Sequence, residues 1–528
     1  MLFLQTGLNL DMLFAFADVK NAFCQSHPLR RPRGPIYAEP CEGLGLPPGA
    51  LIAIDIPVYG LDDAPAAWRN TVASFLVDDL GCVRNIVEPC WYSLFDDGGN
   101  CLAQILVEVD DFIVATTPKF YPTLQQKMKE RFDFGKWEEG SAEYAGRRIR
   151  CTADHILVDQ YKYIHEQIHP IALAKGRRSQ PNEPLTSEEF SALRSLTYKI
   201  NWVARETRPE AAGLASITAS KLQSAKVSDL LIVNKFVNFL RTTAERPLKI
   251  WRFDPKNMCF IVCSDAGGIN TKGAELLDEE GLPSDATQGA WMVMTAAHLP
   301  CGQQQVQVSP IAWRSSKLKR KVFSTYGGET QAMLQGVNEV DWLQIMYRDA
   351  TSHDVQLSSW RASLSPHMVV IRGQCQMGGC LQQCSVTDAK SLYDCLLREH
   401  PSGKQDRKSA LELAIVLRDL QETQSMVRWV PHQKMVVDCM THEDPLRAND
   451  AMNHVLRSGI LSLVDVSEEL QARKSDPAYR KRSHAASRER LLKEYHSSYV
   501  QYMASLVKDI WGSCKDSPLC SNVSIDQG

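Results

Sequence analysis

The chain has 528 residues, 44% hydrophobic and 23% charged, which is enough apolar content for several packed domains. Its formal net charge of −3 excludes a grip on polyanions through global charge, so any such contact has to be local. The apolar start carries Asp11 and lacks a basic n-region, and no uncharged stretch is long enough to span a bilayer, so the reading is an intracellular chain, cytoplasmic or nuclear, neither secreted nor membrane-bound, whose 16 Cys are reduced.

Taken in order, Leu13-Phe-Ala-Phe-Ala17 predicts a strand with Asp18 at its end. Pro65 suits the first turn of a helix with Trp68, Val72, Phe75, Leu76 and Leu80 on one apolar face, and Gly81 can end it. The run from Gln104 to Ala115 is β-rich and broken by Asp110 and Asp111, which predicts a hairpin with both acids at or beside its turn. Adjacent carboxylates repel, and a divalent cation between them and a third acid, Asp18, removes that penalty. Read alone, an Asp-Asp pair is more often a solvated turn. One strand-end acid plus a hairpin diad suits two-metal phosphoryl transfer.

Lys175 to Pro184 reads as a polar linker, and the chain turns largely helical from Ser187. A second acidic set follows. Met258–Ser264 predicts a strand ending in Asp265, Glu329 lies early in the helix-periodic segment Thr325–Met346, Asp388 follows Cys384–Thr387, and Asp438 follows Val427–Val430. Three Asp and one Glu at strand ends and on a helix are what two Mg²⁺ ions need, because hard cations prefer oxygen ligands. Local basic runs stand at Arg30–Arg33, Arg147-Arg148, Lys317–Lys321 and Arg473–Arg490, each readable also as a solvated face. Cys375, Cys380 and Cys384 are close enough to share zinc but have no clear second ligand pair. Insertions at Lys272–Thr287 and Thr351–Gln383 read as surface loops.

The ordered words Asp18-Val-Lys-Asn-Ala-Phe23, Ile36-Tyr-Ala-Glu-Pro40, Val58 to Trp68 and Val109-Asp-Asp111 resemble the reverse transcriptase of copia-type long-terminal-repeat retrotransposons. Phe132-Asp-Phe-Gly135, Tyr144-Ala-Gly146, Val158-Asp-Gln160 and Thr207-Arg-Pro-Glu210 continue the match, which runs to about Leu463. Ser264-Asp-Ala-Gly267, Gly328-Glu-Thr-Gln-Ala332, Val386-Thr-Asp388 and Val437-Asp-Cys-Met-Thr441 resemble a ribonuclease H domain. The resemblance implies a multidomain α+β and α/β fold. A right-hand-like palm with partial fingers, an antiparallel sheet with helices, would occupy 1–165, and a helical thumb or connection 166–250. A ribonuclease H-like mixed sheet with flanking helices would occupy 251–450, and a charged helical extension with a polar tail 451–528.

It further implies RNA- and DNA-templated DNA synthesis with cleavage of the RNA strand of RNA–DNA hybrids, using two Mg²⁺ (or Mn²⁺) per site. Partners would be an RNA template, a DNA primer, deoxynucleoside triphosphates and other retroelement polyprotein products, with no membrane. Asp18, Asp110 and Asp111 would be the metal carboxylates of the palm, and Asp265, Glu329, Asp388 and Asp438 those of the nuclease. Phe23 matches the aromatic under the incoming sugar, though it reads equally as core, and Gly60 to Pro65 matches the nucleotide-positioning loop. Lys317 and Lys319 are the expected hybrid contacts, and His432 would assist product release or orient water, or is a surface histidine.

The sequence also departs from the family. Glu108 stands where Tyr is usual, Asp62-Asp63 replaces a Lys-Gln pair, and Val437 replaces Ala. Little chain precedes Asp18, so a clipped polyprotein lacking part of the fingers is expected. Two further readings stay open: a decayed or recruited fragment that binds nucleic acid without turnover, and a nuclease whose palm no longer polymerises.

Overall fold

The computed structural model describes residues 1–268 except 30, 32, 33 and 42, then 287–300, 305–320, 325–360, 368–371, 374–377, 382–397, 407–463 and 471. Residues Met1–Leu463 form one compact unit of mixed α and β structure. Among the described residues, no helix is long and apolar enough to cross a membrane.

The first sheet has six antiparallel strands, in the order Val83–Arg84, Trp91–Phe95, Cys101–Glu108, Asp111–Thr116, Leu13–Val19 and Phe134–Glu139. Its central strands are apolar without a break because both faces are covered. Phe14, Phe16, Ile113 and Ala115 pack with Leu2, Phe3 and Trp91, whereas Ala15, Ala17, Phe112 and Val114 pack with Trp68, Val72, Leu76 and Phe132. The expected helix covers this second face as Ala64–Ser74, continued by a π turn over Phe75–Asp79 in which Leu80 N reaches Phe75 O at 3.0 Å.

A second antiparallel sheet runs Leu248–Trp251, His155–Asp159, Arg147–Cys151, Ser141–Tyr144. Between its outer strands in sequence lie the helices Ser187–Glu206, Ala212–Lys221 and Val227–Thr242. The first is started by a reciprocal cap: Glu189 N donates to Thr186 Oγ1 at 3.2 Å and Thr186 N to the Glu189 carboxylate at 2.9 Å. Arg177, in the expected linker, also holds Glu189 at 2.9 Å, so the segment is anchored to the helix it precedes.

The third sheet is mixed: Met426–Trp429, Gln383–Thr387, Cys259–Gly268, Thr287–Ala296, Gln305–Lys317 and Ile460–Ser462. Gln383–Thr387 is parallel to both its neighbours, and the other pairings are antiparallel. The sheet therefore extends beyond residue 450, through the helix Asp450–Ser458 and its closing strand. The helix Thr325–Ser352 packs on this sheet, and its far end reaches the first sheet, where Ile86 N donates to Asp349 Oδ2 at 2.8 Å and Ser93 Oγ to Ala350 O at 2.9 Å. Of the expected insertions, 272–286 lies outside the described residues. Thr351 and Ser352 close the long helix rather than open a loop.

Candidate functional site

Two acidic sites emerge, one at the end of the first sheet and one at the end of the third. At the first, Asp18 and Asp111 are cross-strand partners, and Glu108 faces Asp111 across the hairpin. The turn is Val109-Asp110, with Val109 at φ 59, a left-handed conformation that β-branched residues rarely adopt. Val19 N donates to Asp110 O at 2.9 Å, and Trp68 Nε1 donates to Val109 O, which together hold the turn in place. Trp68 thus has a role beyond core filling.

Burial, then the charges of Asp110, Asp18 and Glu108, push the Asp111 carboxyl up to about 6. Arg147 opposes this from a position where it also meets Glu108 at 3.7 Å and Glu206 at 2.7 Å. The Glu108 departure is therefore partly neutralised. Asp63 is likewise paired, with Arg31 at 2.7 Å, while Asp62 is exposed. The three acids do not gather as a set within 4.8 Å of one another, and Asp18 Oδ2 leans over Gly135, where even a Cβ would stand 2.8 Å from it.

Phe23 lies against Tyr59 in a tilted ring pair, 4.7 Å between centroids, and lines, with Pro65, Trp68, Tyr92 and Val109, an apolar cleft of about 360 Å³ beside the acidic turn. Gly60 has φ +97 with open space around it, in the turn that leads to Pro65 near the helix start.

The second site is tighter. Cys263 and Val386 are the last registered partners of the parallel pair, so Asp265 and Asp388, two residues further along each strand, emerge side by side. Asp265 lies inside its strand, which runs on to Gly268 rather than ending at the acid. Glu329 comes from the first turns of the long helix, and the ligand oxygens of Asp265, Glu329 and Asp388 lie within 4.8 Å of one another. Burial, then its neighbour Asp388, raise the Asp265 carboxyl to about 7. Burial, followed by Asp265 and Asp388, raises Glu329 far above the usual carboxylate range, and Glu329 Oε2 has no hydrogen-bond partner. A buried, unpartnered carboxylate oxygen among other acids fits a hard divalent cation.

Asp438, in the short turn Asp438–Met440, groups with two histidines instead of with the other three acids. His432 Nδ1 is 2.9 Å from Asp388 Oδ2 and its Nε2 is 3.5 Å from Asp438 Oδ2, while His442 Nε2 is 3.1 Å from Asp438 Oδ1. The hydrogen bond to Asp388 is the main cause that raises the His432 imidazole, and the one to Asp438 does the same for His442. Thr441 Oγ1 donates to Asp265 Oδ2 at 2.7 Å.

No known protein-family pattern matches the chain, and no curated protein matches it. Among solved structures it is similar to a foamy viral protease-reverse transcriptase in complex with double-stranded DNA, at 12% sequence identity and a TM-score of 0.41. That alignment covers 80% of this chain and 58% of the other, so the chain spans less than two thirds of that structure.

Lys317 and Lys319 are exposed, and Lys317 pairs with Gln288, which pairs with Gly267, so Lys317 stands at the same end of the sheet as Asp265. Lys321 lies outside the described residues, as do Arg473–Arg490. The Arg147-Arg148 run is not a free basic face: Arg148 and Arg150 both hold the buried Asp159, at 3.0 and 2.9 Å. Cys384 is buried in its strand, and the Cys375 side chain and Cys380 lie outside the described residues. Sequence reading placed Thr441 in a motif without giving it a role, and it missed His442. The available signal was the four-residue spacing of His442 from Asp438.

Proposed function

We propose that the chain is a reverse transcriptase with ribonuclease H activity from a copia-like retroelement, acting on an RNA template, a DNA primer, deoxynucleoside triphosphates and the RNA–DNA hybrid they produce. The observation that carries this reading is the convergence of Asp265, Glu329 and Asp388 within 4.8 Å from three separate segments, on a mixed sheet with a packed helix. The ordered motifs upstream support the polymerase half.

Asp265, Glu329 and Asp388 would hold Mg²⁺ or Mn²⁺, with Asp438 at their edge, and a bound ion would supply Lewis acidity to phosphodiester hydrolysis. Thr441 fixes the Asp265 carboxylate. His432, half-open to solvent between Asp388 and Asp438, would hold a proton for a departing 3′-oxygen. Lys317 and Lys319 offer cations to the hybrid backbone, whose shape and 2′-hydroxyls need no base-reading element. At the first site Asp18, Asp110 and Asp111 would hold the ions for nucleotidyl transfer. Phe23 and the Gly60–Pro65 turn would then flank the nucleotide.

A second reading, a nuclease whose palm no longer polymerises, is favoured by the looser grouping of Asp18, Asp110 and Asp111 with Glu108 alongside. Primer extension on an RNA template and cleavage of a labelled hybrid, each with Mg²⁺ or Mn²⁺, separate the two. Asp110→Asn should abolish only extension and Asp265→Asn only cleavage. Loss of both activities from either change would refute two independent sites. Cleavage without any extension would leave the nuclease alone, and hybrid binding without either activity would leave a recruited fragment.

A further inference from the structure

We infer that His432, Asp438 and His442 form a distinct imidazole-type metal site, for Zn²⁺ or a similar transition ion, at the mouth of the carboxylate cluster. One nitrogen from each ring and a carboxylate oxygen of Asp438 lie within 4.8 Å of one another. The two Nε2 atoms approach the two different oxygens of Asp438, at 3.5 and 3.1 Å. In a tetrahedral centre with metal–ligand bonds of about 2.0–2.1 Å, neighbouring donor atoms stand about 3.3 Å apart, so the two nitrogen–carboxylate separations suit it, and the ring nitrogens, within 4.8 Å of each other, would close on the ion.

The His432 ring is also oriented for the task. Its Nδ1 is tied to Asp388 Oδ2 at 2.9 Å, which directs Nε2 at Asp438, where an ion would take the place of a ring proton. A carboxylate behind a ligating histidine fixes its tautomer and raises its basicity. Both rings are about half exposed, at 62% and 48%, so an ion can enter and keep a water. The donor set also selects against Mg²⁺: imidazole suits Zn²⁺ and its neighbours, whereas Mg²⁺ prefers carboxylates and water.

Because Asp438 and His432 also adjoin the acidic cluster, an ion held here withdraws both from it and slows hybrid cleavage. The binding site stands on this chain's side chains alone; only that effect rests on the proposed nuclease.

Co²⁺ is the probe for binding, since the chain has 16 Cys and thiolate ligation gives an intense near-ultraviolet charge-transfer band that imidazole and carboxylate ligation do not. The full chain should bind Co²⁺ with a visible spectrum lacking that band. His442→Ala should weaken binding by at least the roughly tenfold that loss of even an outer-shell partner costs, and Asp265→Asn should leave it in place. Zn²⁺ should inhibit Mg²⁺-dependent cleavage, and His442→Ala should lose that sensitivity relative to its own uninhibited rate. A spectrum showing thiolate ligation alone, no Co²⁺ binding, or binding unchanged in both His432→Ala and His442→Ala would overturn the site. Equal Zn²⁺ sensitivity in wild type and His442→Ala would overturn its effect on cleavage. Co²⁺ binding as described in a protein that cleaves no hybrid would sink the nuclease reading and leave this site standing.

Discussion

Thr441 Oγ1 donates to Asp265 Oδ2 at 2.7 Å and lies 2.9 Å from the Asp438 carbonyl, so one hydroxyl ties the strand acid to the turn acid. Its bond favours the ionised form of Asp265, opposing the burial and the Asp388 charge that raise this carboxyl to about 7. Thr441→Val should therefore push Asp265 higher still. Cleavage near pH 7 should drop several-fold and the acidic limb of the pH–rate profile should move upward, with recovery at higher pH, while Thr441→Ser stays close to wild type. A loss of equal size at every pH would mean that the hydroxyl does not act through Asp265.

The same carboxyl makes stability pH-dependent. Between its ordinary 3.8 and about 7, folded Asp265 keeps a proton that the unfolded chain has released. The native state then binds more protons, so the stability contributed by this group falls as pH rises through that window. In urea titrations without divalent ions, wild type should lose ground against Asp265→Asn between pH 4 and pH 8, on the order of a few kcal/mol. Mg²⁺ at pH 8 should restore it. A gap that is flat with pH, or that moves the other way, would contradict the buried-acid assignment.

The motif Thr207-Arg-Pro-Glu210 turns out to be a buried ionic knot. Glu210 is wholly buried between Arg208 and Arg246, at 2.8 Å from Arg208 Nε and in close contact with Arg246. Arg208 goes on to Thr243 Oγ1 at 2.6 Å and Arg246 to Asn453 Oδ1 at 2.7 Å. Removing the one carboxylate strands two guanidinium groups with little water, so Glu210→Ala should cost about 3–5 kcal/mol in chemical denaturation. Glu206→Ala, by contrast, removes a partner of Arg147 that Glu108 can replace in part, and should cost far less.

The first sheet was legible because its core strands are apolar on both faces and reach charge at or next to their ends, as Phe16-Ala17-Asp18 and Val107-Glu108 do. The helix over Trp68, Val72 and Leu76 was legible by its spacing, and the helical run from Ser187 by the polar, Pro-containing stretch that precedes it. What escaped reading depends on contacts between distant segments. The helix Leu2–Asn9 is buried on all sides, with Leu2, Phe3, Leu4 and Leu8 in the core and Gln5 donating to Trp251 O at 2.7 Å and accepting from Thr295 Oγ1 at 2.8 Å, which no local periodicity announces. The same is true of the site: four acids were legible as candidate ligands, but the grouping of Asp438 with His432 and His442 follows from the path of a short turn. Glu210 looked like one more motif acid, and its burial between two arginines becomes apparent only once the helices are packed.

That turn is positioned from outside the third sheet. A Cβ on Gly213, near the start of the helix Ala212–Lys221, would fall 2.4 Å from Met440 O and 2.6 Å from its carbonyl carbon, so the two backbones touch where no other residue fits. Met440 O also accepts from Ser315 Oγ at 2.6 Å, which locks the turn to the strand carrying Lys317. In Gly213→Ala the neighbour is backbone and cannot swing aside. The Asp438–Met440 turn must shift, taking Asp438 and Thr441 with it. Overpacking of this kind costs about 1–3 kcal/mol, and a displacement near 1 Å at reacting groups costs about 100-fold in rate. Hybrid cleavage per folded molecule should therefore fall by about that factor, while primer extension stays within a few-fold of wild type. Reduced stability with unchanged cleavage per folded molecule would show that the helix supports the fold without setting the geometry of the acids.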